Sequence, residues 1–181
     1  MEVIKTDLEG VLIIKPNVFP DARGTFMELW HGPRYEEAGL PATFLQDNIS
    51  VSSRGVVRGL HYQIPRPQGK LVTVLTGEIF DVAVDIRRES PTFGKWTSAI
   101  LSEENHQQMY VPVGFAHGFM ALTDNARVLY KCTDIYEPGA GRTISVHDPE
   151  IGIEWPNLEP ILSEADASGA LLSNVPTEEL F

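Results

Sequence analysis

The sequence predicts an all-β (mainly β) fold, an antiparallel sandwich or barrel with a few short helices. Three observations carry this. "GKLVTVLTGEIFDVAVDI" alternates apolar and other residues on both arms of the turn "TGE", the period-two pattern of strands. The 15 glycines and 13 prolines fall at strand-length intervals along the chain. Helix signals are confined to two short stretches.

In chain order, the first of these is "PRYEEAGL", with Pro33 in the first helical turn and Gly39 as the stop. "LQDNIS" then reads as a strand with Gln46, Asn48 and Ser50 on one face and Leu45, Asp47 and Ile49 on the other. Pattern alone favours a solvated surface for the Gln46 face. "RGLHYQ" follows, a strand-like run with His61 in its middle. "MYVPVGFAHGFMAL" and "ARVLYKCTDIY" continue in the same style, the latter placing Val128, Tyr130, Cys132, Asp134 and Tyr136 on one face. Near the end, "SEADAS" opens with a capping box in which Ser163 and Asp166 are the two members. Strand tyrosines are commonly core rings with a wet hydroxyl, a lone histidine is commonly a structural hydrogen-bonding residue, and Asp166 has a ready structural role. On pattern alone these residues do not specify a function.

Bulk properties narrow the classes. The 181 residues show no linker, repeat or low-complexity tract, which predicts one domain over 1–181. A net charge of −11 argues against a general nucleic-acid or membrane surface, although a local Arg and Lys cluster can still hold an anionic ligand. No apolar run approaches a membrane span, and "VLII" is too short for a signal-peptide core. The single cysteine, Cys132, excludes an internal disulfide and suits the reducing cytoplasm.

"VPVGFAHGF" carries Pro112-x-Gly114-x-x-His117, which resembles the second histidine motif of the cupin barrels. The first cupin motif would lie at "HYQ…GKLVTVLTGE", and there the chain departs from it. Metal-binding cupins place His-x-His and then a glutamate before the glycine turn. Residues two apart on a strand share a face, so the paired histidines hold one ion. Here the positions hold His61, Gln63 and Lys70. An ammonium is a poor neighbour for a divalent cation and a good one for a developing oxyanion. A cupin-like jelly-roll barrel with no metal is the expectation.

The resemblance then becomes specific. "FPDARGTFMELW", "FLQDNISVSSRGVVRGLHYQ", "QGKLVTVLTGEIFDVAVDIRRESPTFGKW", "YVPVGFAHGF", "YKCTDIY" and "DPEIGIEWP" occur in the order found in the dTDP-4-dehydrorhamnose 3,5-epimerase family, which the chain resembles along nearly its whole length. This resemblance implies an isomerase that is a homodimer, with no metal and no organic cofactor. Its substrate would be dTDP-4-dehydro-6-deoxy-D-glucose, converted to dTDP-4-dehydro-L-rhamnose for dTDP-L-rhamnose biosynthesis. It further implies that His61 is the base, Asp166 its partner, Lys70 the enolate stabiliser and Tyr130 the acid. Arg23, Phe26 and Glu28 would lie on an N-terminal arm, about residues 1–30, that reaches the partner subunit's site. Gln46, Asn48, Arg58, His117 and Tyr136 would be ligand contacts within the barrel.

One difficulty is local. Arg58 and His61 have opposite strand parity, so both can face a cavity only if the strand is irregular near Gly59. Four departures from the family pattern, Ala165, Gly141 before Arg142, Ala170 and Val146, bear on the grip on the nucleotide. Three alternatives compete: a mono-epimerase acting at C3 or C5 only, a metal-dependent cupin enzyme, and a non-catalytic sugar-binding barrel. Gln63 and Lys70 disfavour the second, and the joint presence of His61, Lys70, Tyr130 and Asp166 disfavours the third.

Overall fold

The computed structural model describes all residues, 1–181. The strands are β1 (Glu2–Lys5), β2 (Leu12–Lys15), β3 (Val18–Asp21), β4 (Gly24–Met27), β5 (Gln46–Ser52), β6 (Val57–Gln63), β7 (Lys70–Thr76) and β8 (Glu78–Asp85). They continue with β9 (Trp96–Ser102), β10 (Gln108–Val111), β11 (Phe115–Ala121), β12 (Ala126–Cys132) and β13 (Gly141–Thr143). Two short helices, α1 (Gly32–Glu37) and α2 (Glu164–Ala167), complete the regular structure with two final 3-10 turns. Both helices lie where the sequence places them. Gly39 ends the first at φ +93°, a conformation that disfavours a side chain, and the Ser163 hydroxyl caps the second.

A six-stranded sheet in the order β1-β2-β10-β7-β12-β5 packs on a five-stranded sheet in the order β13-β6-β11-β8-β9. This is the jelly-roll barrel expected. The arms of "LVTVLTGEIFDVAV" are strands, but β7 and β8 belong to opposite sheets, so the chain crosses the barrel at Gly77 instead of making a hairpin. Hairpin β3–β4 forms a separate two-stranded ribbon, and Phe19 and Phe26 on it are exposed, their centroids 6.4 Å apart.

Strand parity sorts the side chains into layers. Val72 and Val74 on β7, Val128 on β12, Ile79 and Ala83 on β8, and Phe115 and Phe119 on β11 fill the space between the sheets. Leu60, Val82, Val84, Ala116 and Met120 form a second core on the outer face of the five-stranded sheet, against the C-terminal segment. A third, around Tyr35, Leu71 and Tyr110, covers the six-stranded sheet. The inter-sheet positions Lys70, Asp81, His117 and Tyr130 share parity with these core residues and therefore point inward.

The irregularity required near Gly59 is present. His117 opposes His61 and Phe119 opposes Arg58, so β6 carries one extra residue across a bulge. Val57 and Leu60 both belong to the outer core, so Arg58 and His61 both leave that face; His61 reaches the cavity, while Arg58 stays exposed and extends to β5. Gly59 sits at φ +140°, and a Cβ there would meet the Gly118 Cα at 2.6 Å. The bulge thus depends on two backbones in direct contact.

The solvated-surface reading of Gln46, Asn48 and Ser50 is reversed. The exposed face of β5 carries Asp47, Ile49 and Val51, the last two 62% and 53% accessible. Because β5 is the edge strand bordering a polar cavity, its polar face turns inward. Alternation cannot reveal which way an edge strand faces when the interior beside it is itself polar.

Candidate active site

Polar residues at one end of the barrel enclose a cavity of about 540 Å³, within the range of small-molecule sites. Its lining includes His61 from the five-stranded sheet and Gln46, Asn48, Lys70 and Tyr130 from the six-stranded sheet. Tyr136 stands on the rim, 58% exposed.

His61, which lines the cavity, meets the buried Asp166 behind it, Nε2 to Oδ1 at 2.5 Å. Asp166 is buried, while the imidazole is open on its cavity side. The C-terminal segment reaches this point by two short bridges, Val56 to Ile161 and Ile144 to Ala170. Gly169 lies so close to the Ile144–Ser145 backbone that a Cβ would meet the Ser145 nitrogen at 2.8 Å. In the capping box, the Ser163 hydroxyl accepts the Asp166 N–H at 3.1 Å, but the carboxylate goes to His61. Burial and the Lys70 charge push the His61 imidazole below its ordinary range, opposed by Asp166.

Lys70 is buried at the cavity wall, and its ammonium donates to the His61 carbonyl at 3.3 Å. Burial lowers its pKa against the attraction of Cys132 and Asp81. Tyr130 faces the cavity from β12; burial raises its phenol, with Cys132 adding to this and Arg58 opposing it. Arg58 reaches the opposite sheet, its Nε donating to Ser52 Oγ at 3.0 Å. His117 lies deeper, hydrogen-bonded to the fully buried Asp81 at 2.7 Å. Asp81 Oδ2 has no hydrogen-bond partner.

Arg58 and His117 do not line this cavity, and Arg23, Phe26 and Glu28 are not brought to it within the chain. Arg23 pairs with Asp21 on the exposed hairpin and Glu28 with Arg34 beside it. Tyr62, Gln63, Gln68, Gly141, Arg142 and Thr143 also line the cavity, although the sequence did not single them out as ligand contacts. Asp81 had a visible signal, a carboxylate between the apolar inward positions Ile79 and Ala83 of "EIFDVAVDI". Thr143 is opposite His61, and Arg142 opposite Tyr62, but their three-residue strand is too short to read by alternation.

No group of three or more His, Cys, Asp or Glu side chains is assembled to hold a metal ion. The position that a second metal histidine would occupy carries Gln63, whose carboxamide is spent on rim backbone groups. No helix is long and apolar enough to cross a membrane.

The family model described as dTDP-4-dehydrorhamnose 3,5-epimerase matches residues 5–174. The chain belongs to the dTDP-4-dehydrorhamnose 3,5-epimerase family. The protein of that name from Methanothermobacter thermautotrophicus is 51% identical over 177 residues, covering 96% of this chain and 95% of its own. The crystal structure of dTDP-6-deoxy-D-glucose-3,5-epimerase from Legionella pneumophila, in complex with dTDP-4-keto-L-rhamnose, superposes with a TM-score of 0.96. It is 49% identical and covers 99% of this chain and 96% of that one. A 3'-monoepimerase from Streptomyces bikiniensis, in complex with dTDP-quinovose, is 35% identical with a TM-score of 0.88, covering 93% of this chain and 86% of that one.

Proposed function

We propose that the protein converts dTDP-4-dehydro-6-deoxy-D-glucose to dTDP-4-dehydro-L-rhamnose by epimerising C3 and C5, for dTDP-L-rhamnose biosynthesis. The observation carrying this reading is that His61 and Tyr130 line one cavity from opposite sheets. Inversion at carbon requires a base on one face of the sugar and an acid on the other, and two opposed walls supply them.

C3 and C5 both flank the C4 ketone, which acidifies the hydrogen on each. His61, held by Asp166, removes that proton and the electron pair moves onto the C4 oxygen. Lys70, an ammonium on the cavity wall, stabilises the enolate oxygen. Tyr130 returns a proton to the opposite face at C5. Asp166 keeps the imidazole oriented and stabilises the imidazolium that forms, as carboxylates do in other His–Asp pairs.

Gln46, Asn48, Arg58, His117 and Tyr136 serve as the barrel's ligand contacts. Arg58, exposed and permanently charged, suits the diphosphate. Arg23, Phe26 and Glu28 complete the nucleotide end of the partner's site in a homodimer. Two features favour this assembly: the ribbon with exposed Phe19 and Phe26, and the exposed Leu45, Ile49 and Val51 on and just before edge strand β5. The reading includes a cytoplasmic enzyme that works without a metal or organic cofactor; the free Cys132 is consistent with a reducing compartment.

NMR of the product formed from dTDP-4-dehydro-6-deoxy-D-glucose tests the assignment. The L-rhamno configuration at both centres is the expected outcome. Inversion at C3 or C5 alone would make the protein a mono-epimerase, the second reading that similarity to the Streptomyces enzyme raises.

A further inference from the structure

Gln63 occupies an inward position two residues beyond His61, yet it offers the cavity almost no polar capacity. It is 4% exposed. Its Nε2 donates to the carbonyls of Arg66 at 2.6 Å and Ile135 at 3.1 Å. Its Oε1 accepts the N–H of Glu137 at 2.9 Å. On the other side of the barrel mouth, the Oε1 of Gln46 accepts the N–H of Tyr136 at 2.7 Å. Consecutive backbone amides of the rim are thus held by two carboxamides, one from each sheet. The Tyr136 side chain between them is 58% exposed and belongs to the cavity lining.

This arrangement constrains the rim in a way that packing does not. A loop bordering a cavity is ordinarily among the more mobile parts of a fold. Residues 134–137 lie past the end of β12 with no ladder partner, and side-chain amides meet the Ile135 carbonyl and the Tyr136 and Glu137 N–H groups there. Besides the Gln63 and Gln46 bonds, the Gln68 amide donates to the Asp134 carbonyl at 2.7 Å. An apolar residue of the same length at 63 would leave the Glu137 N–H and the Ile135 carbonyl to water, and the rim free to move.

We propose that Gln63 is a positioning residue that couples the strand bearing His61 to the rim loop, holding Tyr136 in place over the nucleotide. The proposal rests on the reading of Tyr136 as a ligand contact, and adds that the dTDP moiety is the part it meets at the rim. Gln63 acts on binding through the loop, not on the proton transfers, so its loss raises KM and leaves kcat standing.

Three measurements test this, with dTDP as the binding probe. Hydrogen exchange in the wild-type protein should find the Glu137 amide protected; exchange at the rate of an unstructured amide would overturn the proposal without any variant. Gln63→Met keeps the volume and removes all three hydrogen bonds. It should speed Glu137 exchange, raise the dTDP Kd and the substrate KM by roughly tenfold and change kcat by less than about twofold. In a Tyr136→Ala background the same substitution should add less than about twofold to Kd, because its route of action is gone. An undiminished effect there, or a fall in kcat with KM unchanged, would overturn the proposal. If Tyr136→Ala leaves dTDP affinity unchanged while Glu137 stays protected, the nucleotide reading fails and the role of Gln63 in binding fails with it. If Tyr136→Ala weakens dTDP but Gln63→Met does not, the proposal for Gln63 alone is lost.

Discussion

Asp166 Oδ1 lies 2.5 Å from His61 Nε2, although 105 residues separate the two in sequence. The contact depends on a C-terminal segment that folds back over the five-stranded sheet and closes against the Ile144–Ser145 backbone at Gly169. Asp166→Asn preserves the shape of the pair and removes its charge. The expected loss in kcat is on the order of 10²–10⁴-fold, with little change in dTDP affinity. Steady-state kinetics with a parallel dTDP titration would check it, and a variant retaining more than about half of wild-type kcat would contradict it.

The pH dependence follows from the causes acting on His61. Burial and Lys70 lower its pKa, and Asp166 raises it. A base with a depressed pKa stays neutral further into acid, so the acid limb of kcat/KM should lie below about 6.5. NMR titration of the imidazole should shift in opposite directions in two variants: upward in Lys70→Met, which removes a repelling charge, and downward in Asp166→Asn. The same shift has a stability consequence. Because the folded-state pKa is lower than the unfolded one, the unfolded chain binds more protons below about pH 6.5, and the His61 contribution to stability becomes unfavourable as pH falls through that value.

Lys70 is a buried amine whose pKa is lowered by burial, with a single hydrogen bond, to a backbone carbonyl. Lys70→Met fills a similar volume without the desolvation penalty, so it should raise stability by about 0.5–2 kcal/mol at neutral pH. The same change should lower kcat by roughly 10²–10³-fold through loss of the enolate's cationic partner. Thermal unfolding and kinetics on one preparation measure both. A variant that is less stable and still active would remove Lys70 from its assigned role.

Much of this site was legible because strand parity is a strong constraint. His61, Lys70 and Tyr130 could be named from motif and resemblance, and the opposite parity of Arg58 and His61 pointed to the irregularity that β6 carries near Gly59, although Arg58 itself does not line the cavity. The reversal at Gln46, Asn48 and Ser50 has a physical origin, since an edge strand beside a polar cavity carries its polar residues inside. Gln63 was read as a lost metal ligand and nothing more. Its partners are backbone groups of Arg66, Ile135 and Glu137, and a side chain that bonds to backbone leaves no complementary residue type in the sequence to betray it. The Asp81–His117 pair was hidden for a different reason: it joins two strands whose adjacency only the topology supplies.

The proposed exchange of the N-terminal ribbon between subunits predicts an asymmetric loss. Arg23 is exposed and paired only with Asp21 on its own hairpin. In mixed dimers, an Arg23→Ala subunit should damage the site of its partner, not its own. Pairing Arg23→Ala with His61→Ala subunits separates the cases. The hybrid should keep one intact site where the Arg23→Ala subunit, with its own His61, receives a wild-type arm from its His61→Ala partner. Activity near half that of the wild-type dimer is expected, and near-complete loss would place Arg23 in its own subunit's site.

The central claim, a base on one wall and an acid on the other, is tested most directly by hydrogen exchange in deuterated water. In Tyr130→Phe the enolate still forms and His61 can return a proton only to the face it came from. NMR of that variant's substrate should show deuterium entering C5 with the starting configuration retained, while His61→Ala should show neither inversion nor exchange at C3 or C5. Normal C5 inversion by Tyr130→Phe, or undiminished exchange in His61→Ala, would contradict the account.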